Sequence, residues 1–342
     1  MTIRAGGIAG AIALASILAF NGSASAQENN CMVNPGIDWD IQINACTVAI
    51  HSGGWQGEGL RWAFYNRGLA YYYKDQYDRA IQDFDQAIRL SPKNAENFTA
   101  RGNAYRGKGD IDRAIQDYDQ AIRLNPKYAN AFYNRGLVYD DKGQYDRAIQ
   151  DYDQAIRLNP KYVNAFNNRG WAYYNKGQYD RAIQDYDQAI RLNPKYANAY
   201  YNSGLAYEKK SEYARAALEY DDVTRINPQD ASAWNGRCRV RAIAGQLEQA
   251  LKDCDESLRL RPYDANTLNS RGFTYLKLGQ FDNAITDYDA VLKINAKMEA
   301  SLYGRGLAKQ KKGASAGGNA DIAAAKVIDA KIAETFASYG VK

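Results

Sequence analysis

The chain has 342 residues, with 44 Lys and Arg against 39 Asp and Glu, a formal net charge of +5 and 46% hydrophobic residues. Charges of both signs are interspersed, which leaves no basic stripe for phosphates and argues against nucleic-acid binding. Aromatic residues make up 12% of the chain, which excludes disorder, and the one His, His51, leaves no Ser-His, Cys-His or His-metal constellation for a hydrolase or metalloenzyme. With no catalytic, cofactor or metal set to assemble, a non-enzymatic binding protein is expected, without a cofactor.

The first element reads as an address. Arg4 precedes an uncharged apolar run from Ala5 to Phe20, and Ala24-Ser25-Ala26 has the small-x-small pattern of a signal peptidase site. Residues 1–26 are therefore expected to be a signal peptide cleaved after Ala26, giving a periplasmic or secreted product. The run is shorter than the roughly 20 residues a membrane span needs, so no stable membrane insertion is expected after cleavage. Residues 27–60 read as an N-terminal cap: 40–52 follows a helical pattern with Cys46 and Ala49 on its apolar side, and a Gly-rich connector follows from Ser52 to Gly59.

A period then takes over. Pro92, Pro126, Pro160, Pro194, Pro228 and Pro262 recur every 34 residues, and DRAIQDYDQAIRLNPKY occurs word for word at 112–128, 146–162 and 180–196. With Pro at position 32 of each unit, Gly68, Gly102, Gly136, Gly170, Gly204, Gly272 and Gly306 fall at position 8, and Ala80, Ala114, Ala148, Ala182, Ala216, Ala250 and Ala284 at position 20. Aromatic or apolar residues fill positions 4 and 11, and position 24 holds Phe84, Tyr118, Tyr152, Tyr186, Tyr220 and Tyr288. The three-and-four spacing of positions 4, 8, 11 and of 20, 24, 27 predicts two amphipathic helices per unit. Gly109, Gly143, Gly177, Gly245 and Gly279 at position 15 suit the left-handed turn between them, and Asp at position 18 suits the positive start of the second helix. Seven such units fill residues 61–298.

These residues resemble the tetratricopeptide repeat family over about 61–298, and with the expected signal peptide the chain reads as a bacterial exported member of it. The resemblance implies an all-α fold: a right-handed solenoid of antiparallel helix pairs with N- and C-terminal capping helices. Residues 299–342 are expected to give a C-terminal half repeat and caps, with Ser301 to Gly313 as a first helix, a loosened turn at ASAGG, and short helices from Asp321 to Tyr339.

The four cysteines fall into two pairs. In the sixth unit Gly at position 8 becomes Cys238 and the aromatic at position 24 becomes Cys254, so a small residue grew where a large one shrank. An even count in an exported chain favours disulfides. Cys31 and Cys46 have almost the same separation, so Cys238–Cys254 and Cys31–Cys46 are the expected bridges.

The resemblance further implies that positions 2, 5, 6, 9, 12 and 13 of the first helices line a concave ligand groove. Position 6 then places Asn66, Asn134, Asn168 and Asn202 in the groove, and position 2 adds Asn130, Asn164 and Asn198. This is similar to the asparagine ladder of the O-linked GlcNAc transferase repeats, in which amides hold an extended peptide backbone; an amide both donates and accepts. Tyr133 and Tyr201 at position 5, Trp171 and Phe273 at position 9 and Tyr174 at position 12 share that face. The expected partner is an extended segment of a cell-envelope protein, bound at the third to fifth units. The alternative is a polysaccharide-binding or export accessory module stacking sugars on Trp171, Tyr174 and Phe273. Finally, Arg67, Arg101, Arg135, Arg169, Arg237, Arg271 and Arg305 at position 7 are expected to pair structurally with the Asp of position 25, a series that Ser203 breaks.

Overall fold

A computed structural model describes residue 31 and residues 38–341. The expected signal segment 1–26 and its cleavage site lie outside the described residues. Among the described residues there are eighteen helices and no strand. The chain divides into two compact units. The first, ending at Asp110, holds α1 (Trp39–His51), α2 (Gly57–Tyr73), α3 (Tyr77–Leu90) and α4 (Ala95–Lys108). The second opens with α5 (Ile111–Leu124). Its helix pairs are α6 (Ala129–Asp141) with α7 (Tyr145–Leu158), α8 (Val163–Asn175) with α9 (Tyr179–Leu192), and α10 (Ala197–Lys209) with α11 (Tyr213–Ile226). Then come α12 (Ala231–Ile243) with α13 (Leu247–Leu260), α14 (Ala265–Lys277) with α15 (Phe281–Ile294), α16 (Glu299–Lys311) with α17 (Ser315–Ile328), and last α18 (Ile332–Ser338).

Each boundary follows from local chemistry. The second helices from α3 to α13 end at position 30, two residues before the proline that cannot continue them. The turn at position 15 has positive φ throughout: Gly143 and Gly177 lie at 69° and 74°, while Asp75 and Ser211 adopt the same conformation at 56° and 59° with a side chain to accommodate. Position 18 Asp sits in the first turn of the second helix, where the helix dipole favours it.

Inside a pair, position 8 lies against position 24. A Cβ on Gly136 would come within 2.8 Å of the Tyr152 ring, and one on Gly170 within 2.7 Å of Tyr186. That contact explains the sixth unit, where Cys238 and Cys254 occupy the two positions at disulfide distance, Cα to Cα 5.3 Å. Cys31 and Cys46 make the second such pair at 4.6 Å, and they are buried with Ala45, Ala49 and Ala63.

The C-terminal segment departs from expectation. ASAGG does not loosen a turn: Ser315 starts a full-length second helix, and α16 and α17 complete an eighth pair rather than a half repeat. The glycines there serve close packing, since a Cβ on Gly318 would meet the Gly306 carbonyl oxygen at 2.7 Å. Among the described residues no helix is long and apolar enough to cross a membrane.

Candidate functional site

Two charge ladders hold successive repeats in register. The buried one centres on the position 7 arginines. Arg135 Nε and Nη2 bind both oxygens of Asp151 at 2.8 and 2.7 Å, while Nη1 reaches Asp119 of the preceding repeat at 2.5 Å. Arg169 does the same with Asp185 and Asp153, Arg271 with Asp287 and Asp255, and Arg305 with Asp321 and Asp289. The expected position 25 partner is therefore present, but it is the second one. The bidentate partner is the position 23 Asp of the same repeat, which the sequence analysis did not single out although the word Asp-Tyr-Asp spells both. The hydrogen bonds it donates to Asp151 hold the Arg135 guanidinium in its charged form, and burial raises the carboxyls of Asp151 and Asp185 against the pull of their arginines. The second ladder, exposed and unforeseen, links position 14 Lys to position 18 Asp of the preceding repeat, as in Lys108 with Asp78 at 2.5 Å and Lys210 with Asp180 at 2.7 Å.

First helices adjoin in sequence, α6 with α8 and α8 with α10, and this brings the groove positions of the third to fifth repeats onto neighbouring helices. There the asparagines bond to one another. Asn202 Nδ2 donates to Asn167 Oδ1, Asn167 Nδ2 to Asn168 Oδ1 and Asn168 Nδ2 to the Tyr133 hydroxyl, each at 3.0 Å. Asn167, at position 5, is the member that sequence reasoning missed. The rule repeats further on, where Ser270 Oγ donates to Asn235 Oδ1 at 2.8 Å. Position 6 thus reaches position 5 of the preceding repeat, a spacing of 35 residues that only the fold makes visible. Asn134 and Asn164 are half-buried, and Asn130 and Asn198 are exposed.

Asn66 stands elsewhere, in the first unit. It is buried, and its Nδ2 donates to the main-chain carbonyl of Cys31 at 2.9 Å. It is therefore occupied by its own chain.

The aromatic residues divide. Trp171 and Tyr174 lie stacked on each other, centroids 5.1 Å apart and planes 10° apart, both half-buried. Tyr133 leans on Tyr152 and Tyr162, and Tyr201 on Tyr220. Burial raises the hydroxyl pKa of both Tyr174 and Tyr201. Next to them Arg239 Nη2 bonds Glu208 Oε1 at 2.7 Å, and Glu208 also accepts from the Tyr220 hydroxyl. Phe273 is displaced from the expected set. It is 7% exposed, covered edge-on by Phe336 and Tyr339 of the C-terminal segment, so its ring has no open face for a sugar.

The helix pairs stacked in this way define a repeat scaffold, a fold consistent with protein–protein interaction. Tetratricopeptide repeat models match residues 62–94, 99–163, 151–184, 170–211, 212–265 and 265–298, and the chain belongs to the tetratricopeptide repeat family. No curated protein matches it. Among solved structures, it is similar to the C-terminal part of a TPR repeat-containing protein from Cytophaga hutchinsonii, at 18% identity and a TM-score of 0.57 over 70% of this chain and 98% of that one. A tetratricopeptide repeat protein from Parabacteroides merdae gives 21%, 0.51, 72% and 98%, and pilF of Pseudomonas aeruginosa 20%, 0.55, 61% and 96%. At these identities the likeness is one of fold.

Proposed function

We propose that the chain is a non-enzymatic scaffold of the bacterial cell envelope, periplasmic or secreted, that binds an extended segment of a partner protein on the first helices of its third to fifth repeats. Asn134, Asn164, Asn168, Asn198 and Asn202 serve the partner's backbone, and Tyr133, Trp171 and Tyr201 its side chains. The observation that carries this reading is Asn66, whose ladder amide already holds a main-chain carbonyl at 2.9 Å within the chain itself. That contact supports the role proposed for the same position further along. The polysaccharide alternative loses ground on the aromatics: Trp171 gives one face to Tyr174, and Phe273 is covered.

The test is photo-crosslinking in cells from a reactive residue at Asn198, with Arg147, exposed on α7, as a control position. Asn168 and Asn202 also tie repeats together, so the companion variant is Asn134→Ala with Asn164→Ala. A discrete protein adduct at 198, absent at 147 and lost in a double variant with unchanged melting, is expected. An adduct that survives the double variant refutes the ladder, and a glycan adduct transfers the assignment to polysaccharide.

A further inference from the structure

The position 7 arginine is absent once, at Ser203 on α10, but the residues that surround it elsewhere remain. Around Arg135 these are Asp151, Asp119, and the rings of Phe132 and Tyr139, whose centroids lie 5.8 and 6.0 Å from the guanidinium carbon. At the same repeat positions around Ser203 stand Glu219, Asp187, Tyr200 and Tyr207. The correspondence extends outward. Arg147 covers the Tyr139 ring at 5.5 Å and its counterpart Arg215 covers Tyr207 at 5.7 Å, so Tyr207 lacks only the second guanidinium that Tyr139 receives.

Two buried atoms record the loss. Ser203 is fully buried, and its short hydroxyl, beside Glu219 and favouring the ionised carboxylate, is all that stands where other repeats hold a guanidinium. Glu219 Oε2 is also buried, without a partner. Arg215 pairs with Glu212 and Arg225 with Asp221 and Asp222, while Arg191, hydrogen-bonded to the neutral Gln188, lends its charge to Asp187 and not to Glu219. Burial, then the charges of Asp187 and Asp222, push the Glu219 carboxyl up to about 7, as expected of a carboxylate whose countercharge is missing. Among the described residues no acidic cluster has a metal-holding arrangement.

We propose that the place vacated at Ser203 is a binding site for a guanidinium group, supplied by an arginine side chain of a partner or by a small guanidino compound, held by Asp187 and Glu219 between Tyr200 and Tyr207. Asp187, Glu219, Tyr200 and Tyr207 are all half-buried, each with part of its surface open to solvent, while Ser203 Oγ and Glu219 Oε2 behind them are closed to water in the unliganded chain. A planar fork that stacks on rings and bonds two carboxylates fits better than the compact ammonium of lysine. The site lies at position 7, apart from the groove, and does not rest on the scaffold reading.

The test titrates the full chain at pH 8 with N-acetyl-arginine amide, against the neutral isostere N-acetyl-citrulline amide, followed by amide NMR shifts. Saturable shifts at Ser203, Tyr207 and Glu219 are expected, with the arginine derivative at least about tenfold tighter, because one charged pair is worth roughly that factor. Affinity falls on lowering the pH to 6, as Glu219 takes up a proton and ceases to pair with the cation. Ser203→Arg, which supplies its own guanidinium, abolishes binding and raises the melting temperature. Should that variant not fold, Glu219→Gln replaces it and weakens binding. An arginine-containing tripeptide that binds more tightly than agmatine identifies a partner side chain as the source, and the reverse order a small molecule. Absence of saturable shifts, equal affinity for the citrulline derivative, or binding unchanged in Ser203→Arg or Glu219→Gln overturns the proposal.

Discussion

At the scale of single residues the repeat leaves little tolerance. Position 15 requires a left-handed turn that glycine adopts without cost, while Ser211, at φ 59°, carries a Cβ through it. Ser211→Gly is therefore expected to stabilise the chain by about 1 kcal/mol, read as a higher urea midpoint with an unchanged slope; an unchanged or lower midpoint would show that the serine is compensated in place. The residues legible in advance were those whose chemistry changes in concert. Cys238 and Cys254 disclosed the contact of positions 8 and 24 because both changed in the same repeat. Position 23 stayed hidden because it adjoins the aromatic of position 24 and reads as part of a polar helix face. Asn167 was missed because position 5 changes from Tyr to Asn, and only the stacking of first helices reveals what its partner shares.

At the scale of helices, the two ladders look alike on paper and differ in worth. Asp151 has a side-chain exposure of 6% and Asp146, on the outer ladder, 79%. Removing Arg135 strands a buried carboxylate, and Arg135→Ala should cost about 3 kcal/mol. Lys176→Ala, which breaks the exposed rung to Asp146, should cost less than about 1 kcal/mol. Denaturant midpoints of the two variants, measured side by side, separate these expectations; equal losses would mean that the arginine ladder is no better shielded than the surface one. Helix boundaries were the most readable part of the fold, because proline and the turn glycines act locally. The stretch ASAGG misled for a physical reason: its low helix propensity was overridden by the close approach of Gly318 to Gly306, which only small residues permit.

At the scale of the second unit, α18 and the residues after it complete the packing of the last repeats. Phe336 packs between Phe273 and Tyr303, Tyr339 meets Tyr213 and Phe273, and Lys277 Nζ donates to the Tyr339, Ala242 and Ile243 carbonyls. Burial lowers the Lys277 pKa, the cost of placing an ammonium among main-chain carbonyls and rings. Ending the chain before Ile332 should uncover Phe273 and Tyr303, lower the melting temperature and raise the fluorescence of a hydrophobic dye. A truncated chain with unaltered melting would show that this segment contributes no core. The sequence indicated that a cap was needed, since an outermost repeat must be covered, but not that the cap would fold back over a groove position.

The word repeated unchanged at 112–128, 146–162 and 180–196 places the same second helix, α5, α7 and α9, at three successive steps of the second unit. Interfaces made of the same side chains are interchangeable. Excision of residues 129–162 would set α5 beside α8 through contacts that α7 and α8 already use, and insertion of a further copy would reuse them again. The array can thus lengthen or shorten by whole modules without inventing a joint, and inheritance acts on the number of steps as readily as on their chemistry. The fifth repeat, with Ser203 and Ser211, has left that pool: any exchange that passed through it would change both a turn and a charge at once.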